Sequence, residues 1–160
     1  MHQKFEIRLA TETDLPTIFS LVKSLADHVG LSHEITATED DLGNHLFGDA
    51  RYVDVLIGYV ESSPVAMIIF YPGFSTFMGK PSLHIEDFYI RPEFRGCGLG
   101  TAIFKYLVKI ADSRGCGKIE WYATEWNEGA IRFYQKMGAC KLNERKLFRL
   151  SADAMRALMA

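Results

Sequence analysis

Apolar and polar positions change period several times along the chain, and each change predicts an element. Phe5-Glu6-Ile7-Arg8-Leu9 alternates apolar with charged, the period of a half-buried strand. Thr11 to Asp14 then offers helix-capping side chains, Pro16 sits in the first turn, and Ile18, Leu21, Val22 and Leu25 recur at helical spacing as far as Gly30. Thr38-Glu39-Asp40-Asp41 predicts a second, acidic helix start with Leu42 and Leu46 turned inward. Between these helices His28 to His33 is polar, and its two histidines, His28 and His33, read first as surface residues.

Two apolar runs follow, Val53 to Val60 and Val65 to Tyr71, joined by Glu61-Ser62-Ser63-Pro64, a hairpin by composition. Pro72-Gly73 and Gly79-Lys80-Pro81 bracket an expected loop, in which Phe74, Phe77 and Met78 either line a pocket or pack on the core. The next strand, Leu83 to Ile90, carries Glu86 and Asp87 inside an otherwise apolar run and leads into a glycine-rich stretch. After that stretch Leu99, Ile103, Leu107, Ile110 and Ala111 share one helical face, and Arg114-Gly115 ends the helix. Lys118 to Thr124 predicts another strand, and Asn127 caps a helix with Ala130, Phe133, Tyr134 and Met137 on one stripe and Gly138 just beyond it. A strand near Lys146 to Leu150 and a short helix capped by Ser151 complete the pattern. Strands and helices in this alternation give an α/β sheet covered by helices.

Composition narrows the classes. At 160 residues and 48% hydrophobic content, the chain fits a single domain over residues 1–160 with a sizeable core. A formal net charge of −2 gives no basic surface for nucleic acid or an anionic membrane, but is compatible with a cationic small substrate. No apolar run approaches the roughly 20 residues that span a bilayer, and Met1-His2-Gln3-Lys4 lacks the apolar core of a signal peptide. The three cysteines, Cys97, Cys116 and Cys140, are odd in number and lack metal-ligand spacing, so a cytoplasmic protein without a metal site is expected.

Candidate chemistry concentrates around Arg95-Gly96-Cys97-Gly98-Leu99-Gly100-Thr101. Alternate glycines admit positive φ and close approach of a ligand, and the first amides of the following helix have no intrahelical partner. With the helix dipole and Arg95, such a loop suits a phosphate or pyrophosphate. Its spacing is neither the dinucleotide fingerprint nor a Walker loop. Glycines at a strand-to-helix turn are also ordinary punctuation, so the loop alone does not decide between the two.

The loop resembles the Arg/Gln-x-x-Gly-x-Gly/Ala loop of the GCN5-related N-acetyltransferases. Glu86-Asp87-Phe88-Tyr89-Ile90, Glu125-Trp126-Asn127-Glu128 and Phe133-Tyr134 are similar to the diamine and thialysine acetyltransferase branch, most clearly from about Leu83 to Ala139. The resemblance implies the GNAT fold: a mixed central sheet with helices on both faces, in which two parallel strands, Leu83 to Ile90 and Lys118 to Thr124, splay apart at a bulge. It implies acetyl-CoA as cofactor, a small amine as substrate and a homodimer.

Carried over residue by residue, the resemblance implies that Phe88, Tyr89 and Ile90 pair their backbone with pantetheine. Arg95, Gly96, Cys97, Gly98, Leu99, Gly100 and Thr101 would hold the pyrophosphate, and Asn127, Glu128, Gly129, Ala130 and Tyr134 would contact the cofactor. Glu86, Asp87, Thr124, Glu125 and Trp126 fall on the acceptor side. An amine with a pKa near 10.4 must lose a proton before it attacks a thioester, and Glu86 is the candidate base. Tyr134 matches the tyrosine that protonates the departing thiolate, although a tyrosine on an apolar helix stripe is ordinarily core. Strand amides near Phe88 and Tyr89 are candidates to receive the oxyanion.

Departures from the branch bear on the substrate. Asp27-His28-Val29-Gly30 lacks the acidic, tyrosine-rich run of the animal diamine enzymes, and Arg145 stands where a tryptophan is expected. Both favour a shorter amine such as a lysine analogue. A protein lysine or N-terminal acetyltransferase and a non-catalytic coenzyme A-binding module remain open as rivals.

Overall fold

The computed structural model describes residues 4–159, in two compact units divided after Tyr122. The first carries β1 (Phe5–Leu9), α1 (Leu15–Val29), α2 (Glu39–Leu46), β2 (Asp54–Val60), β3 (Ser63–Ser75), β4 (Lys80–Ile90), α3 (Leu99–Ser113) and β5 (Ile119–Trp121). The second carries α4 (Glu128–Lys136) and α5 (Ala152–Met159). The five strands form one sheet in the order β1-β2-β3-β4-β5, antiparallel except for the β4–β5 pair. This is the mixed α/β sheet expected from the sequence.

Alternation along the strands assigns the sheet's two faces to different helices. Val55, Ile57, Met67, Ile69 and Tyr89 pack with Ile18 and Leu21 of α1 and Leu46 of α2. The intervening positions face α3. A Cβ on Gly58 would meet Leu99 and Ile103 at 3.3 and 3.6 Å, and the Phe88 ring packs edge-on against Phe104 at 5.0 Å. Each fully buried Leu or Ile contributes roughly 1.5–3 kcal/mol, so the two layers hold the sheet rigid from both sides.

Local chemistry sets the boundaries of the helices. Gly30, at φ 75°, ends α1 in the left-handed conformation that glycine adopts most cheaply. The Asp41 amide donates to the Thr38 hydroxyl, and the Asp41 carboxylate accepts from the Thr38 amide, a reciprocal cap that starts α2. Arg8 donates to both carboxylate oxygens of Asp14 at 2.7 and 2.9 Å and to the Tyr59 hydroxyl at 2.6 Å, tying β1 and β2 to the start of α1. That guanidinium, with the Thr11 amide, holds the Asp14 carboxyl well below the usual range.

Three expectations are corrected. The expected loop over residues 72–81 is instead the outer part of a long hairpin, with Pro72 opposite Leu83 and Ser75 opposite Lys80. Pro72 fits a strand because the β2 ladder ends at Asp54 opposite Phe70, so the missing N–H interrupts no bond on that side. The strand expected at 118–124 pairs only over Ile119–Trp121. No strand forms at 146–150, where Leu147, Phe148 and Leu150 are exposed.

Candidate active site

The centre of β4 departs from regular pairing at Glu86. Ile69 pairs with Asp87 and Phe70 with Ile85, leaving Glu86 as an extra residue, a β-bulge. The parallel ladder to β5 ends at the same level, its last pair being Ile85 with Trp121. From Glu86 to Ile90, β4 therefore has β3 on one side and no β5 partner on the other. This is the separation of the two parallel strands that the resemblance implied.

The alternation of the antiparallel ladder decides which backbone groups face that gap. The Arg91 amide donates to the Val65 carbonyl at 2.9 Å, so Arg91, and two residues earlier Tyr89, turn their polar groups toward β3. Phe88 and Ile90 turn theirs away from β3. Of the three residues expected to offer backbone to a cofactor arm, Phe88 and Ile90 have the required direction and Tyr89 does not. The Tyr89 side chain lies in the core beside α1, 6.2 Å from the His28 ring.

Past β4, Arg95 donates its Nε to the Ile90 carbonyl at 2.9 Å, with its guanidinium 5.9 Å from the Tyr89 ring centroid. Cys97 Sγ donates to the Phe94 carbonyl at 3.0 Å. Gly96 and Gly98 take φ of 76° and 95°, and Gly98 caps α3. The first helical bond runs from the Ala102 amide to the Gly98 carbonyl at 3.0 Å, so the amides of Leu99, Gly100 and Thr101 head the helix with no carbonyl behind them. A backbone turned left-handed twice, followed by a helix start, fits the two phosphates of a coenzyme A pyrophosphate.

The two carboxylates differ. Glu86, at the bulge, is exposed; Asp87 is half-buried. Burial first, and then the negative charge of Glu86, pushes the Asp87 carboxyl up to about 6, from an ordinary value near 3.8. An exposed carboxylate beside a second, half-buried one can attract a cation and accept its proton.

In the second unit the Asn127 side chain accepts from the Ala130 amide at 3.2 Å, capping α4 as the sequence predicts. The Asn127 amide donates to the Thr124 carbonyl at 3.1 Å and the Glu128 amide to that of Trp126 at 3.0 Å, so residues 124–130 form one compact turn. Trp126 is exposed, and the Glu125 carboxylate lies 4.0 Å from the Lys141 ammonium. Burial pushes the Tyr134 hydroxyl up to about 12, which keeps it protonated at neutral pH. The expected site residues thus form two groups, Glu86 to Thr101 in the first unit and Thr124 to Tyr134 in the second.

Residues 16–139 match the model of the acetyltransferase (GNAT) family. The chain belongs to this family. It is 31% identical to a thialysine N-epsilon-acetyltransferase from Bos taurus, covering 95% of each chain. It is also 29% identical to an L-ornithine N5-acetyltransferase from Arabidopsis thaliana, covering 98% of this chain and 89% of that protein. An integron cassette protein from the mobile metagenome of V. cholerae has the same fold, with a TM-score of 0.80 at 21% identity over 99% of this chain and 98% of that one. The GNAT membership makes the chain an acetyl-transferring enzyme. Among the described residues no helix is long and apolar enough to cross a membrane, and no cluster of three or more His, Cys, Asp or Glu side chains could hold a metal ion.

Residues that sequence reasoning missed lie beside Glu86. The His84 ring on β4 stands 4.9 Å from Tyr71 on β3 and 5.3 Å from Tyr122, just past the end of β5. Only the strand register reveals that grouping, and the register was hidden while residues 72–81 read as a loop.

Proposed function

We propose that this chain transfers acetyl from acetyl-CoA to the primary amine of a small cationic acceptor of the thialysine, ornithine or polyamine type. The observation that carries the reading is the carboxylate pair at the β4 bulge, placed where the parallel ladder ends. The names of the thialysine and ornithine relatives support the acceptor class. The cofactor supplies the activated thioester acyl group. Gly96 to Thr101 would hold its pyrophosphate, and the backbone of Phe88 and Ile90 its pantetheine arm.

Glu86, exposed at the bulge, meets the ammonium and takes its proton, directly or through a water, with Asp87 adding a second negative charge. The raised Asp87 carboxyl means that this second charge is lost as pH falls through about 6. The Phe88 amide, directed into the gap, is the backbone donor best aimed at a developing oxyanion. Tyr134, protonated at neutral pH, gives its proton to the departing thiolate, and Thr124 to Trp126 contribute on the acceptor side. Residues 1–160 act as one catalytic domain, a reading supported by the family match running across both units. A homodimer and a cytoplasmic setting belong to the same proposal. Exposed Phe77, Phe148 and Leu158 support the dimer, which light scattering at micromolar concentration checks.

Thiol release from acetyl-CoA across a panel of thialysine, ornithine, polyamines and aminoglycosides tests the function. Release with short diamines or diamino acids is the expected result. No release with any of them, alongside acetylation of lysine side chains in a protein substrate, overturns it.

A further inference from the structure

We propose that Tyr71, His84 and Tyr122 form a ring-lined wall that selects the acceptor, holding the second cationic group of a diamine or diamino acid while its reacting amine reaches Glu86. The wall rests on the reading of Glu86 as the group that meets the amine. It is built from three strands: Tyr71 on β3, His84 directly opposite on β4, and Tyr122 just past the end of β5. The centroid spacings of 4.9 and 5.3 Å make a continuous row, and Tyr52 extends it at 6.4 Å from Tyr71.

The row is not core. Tyr122 is 68% exposed and Tyr52 61%, whereas the ring positions facing α3, such as Phe70, are fully buried. Exposed Tyr52 and Tyr122 flank half-buried Tyr71 and His84, so the row keeps apolar faces in water without the full gain of burial, which marks a surface that another molecule covers. The neighbouring charge identifies that molecule. Glu86 is close enough for its charge to hold the Tyr71 hydroxyl above its ordinary value, after burial. An anion beside a row of π faces attracts a cation to that row, and ring faces bind ammonium and alkyl chain together. An acidic or neutral acceptor gains nothing from either.

Tyr122 is the ring to change, because its exposure leaves the sheet intact. Steady-state kinetics would compare wild type with Tyr122→Ala and Tyr122→Phe, using thialysine as the two-cation probe and n-pentylamine as the one-cation probe. The expected result is a three- to tenfold rise in the thialysine KM for Tyr122→Ala. The KM for acetyl-CoA should stay within twofold, n-pentylamine should change less, and Tyr122→Phe should restore the wild-type value. An unchanged thialysine KM overturns the wall. So does an equal rise for both amines, or a parallel rise for acetyl-CoA.

Calorimetric binding of thialysine separates this proposal from the one beneath it. If wild-type protein releases no coenzyme A with any amine, the function falls; weaker thialysine binding by Tyr122→Ala still upholds the wall, and equal binding overturns it. If wild type is active and Tyr122→Ala binds thialysine as tightly, the wall falls and the function stands.

Discussion

The phosphate loop and the carboxylate face lie at opposite ends of one short stretch of chain, and they are built in different ways. Arg95 to Thr101 works through its backbone: two left-handed glycines and a helix start, all within seven consecutive residues. The carboxylate face works through side chains, and gathers Tyr71, His84, Glu86, Asp87 and Tyr122 from three strands. A backbone site is written in local spacing. A side-chain site depends on register, which is a property of the whole sheet. If the division is real, changes on one side should leave the other side's ligand alone.

Glu86→Gln carries the largest expected effect. It removes both a proton acceptor and a charge facing the ammonium, so kcat should fall at neutral pH by roughly 10²–10⁴ while the acetyl-CoA KM stays put. Raising the pH should recover part of the rate, because more of the amine is then already neutral. A pH–rate profile matching wild type would take Glu86 out of the reaction.

Gly98→Val is the complementary change on the loop side. At φ 95° a β-branched residue costs roughly 1–3 kcal/mol, and the loop relaxes by giving up the conformation that turns its amides outward. The acetyl-CoA KM should rise about tenfold or more with the amine KM nearly unchanged. Equal rises in both constants would erase the division between the two regions.

Asp87→Asn gives the smallest and most specific effect, on stability. The folded carboxyl titrates at about 6 against an ordinary 3.8, so the native state binds more protons than the unfolded chain between those values. Stability therefore declines as pH rises through that window, and at pH 7 the charge costs roughly 2–3 kcal/mol. The asparagine variant should melt about 5 °C or more higher at pH 7, and the advantage should vanish near pH 4. A lower melting temperature at pH 7 would mean that Asp87 has a partner worth more than its burial costs.

The same contrast explains what could be read from the chain. Helix starts at Thr38 and Asn127, the stop at Gly30 and the glycine turn before α3 all depend on neighbours within four residues, and each is found where the sequence predicts. Pro72 and Gly73 read as breakers because nothing within a few residues of them shows that β2 ends at that level. The segment 146–150 has the composition of a strand, but a strand needs a paired partner, and composition does not specify one. Glu86 and Asp87 stood out as costly charges in an apolar strand. Their difference in burial, and the three rings beside them, depend on the register of β3 against β4.

The bulge at Glu86 also has a consequence in odd and even counting. Residues three apart on a regular strand point to opposite faces, yet Tyr71 and Ile69, two apart on β3, face His84 and Asp87, three apart on β4. One supernumerary residue changes the parity of everything downstream. It brings a ring from the outer hairpin and a carboxylate from the inner strand onto the same surface. Were β4 regular with Glu86 kept, Glu86 would stand opposite Ile69 and Asp87 would turn to the other face, so it is the extra residue that lets His84 and Asp87 share a side.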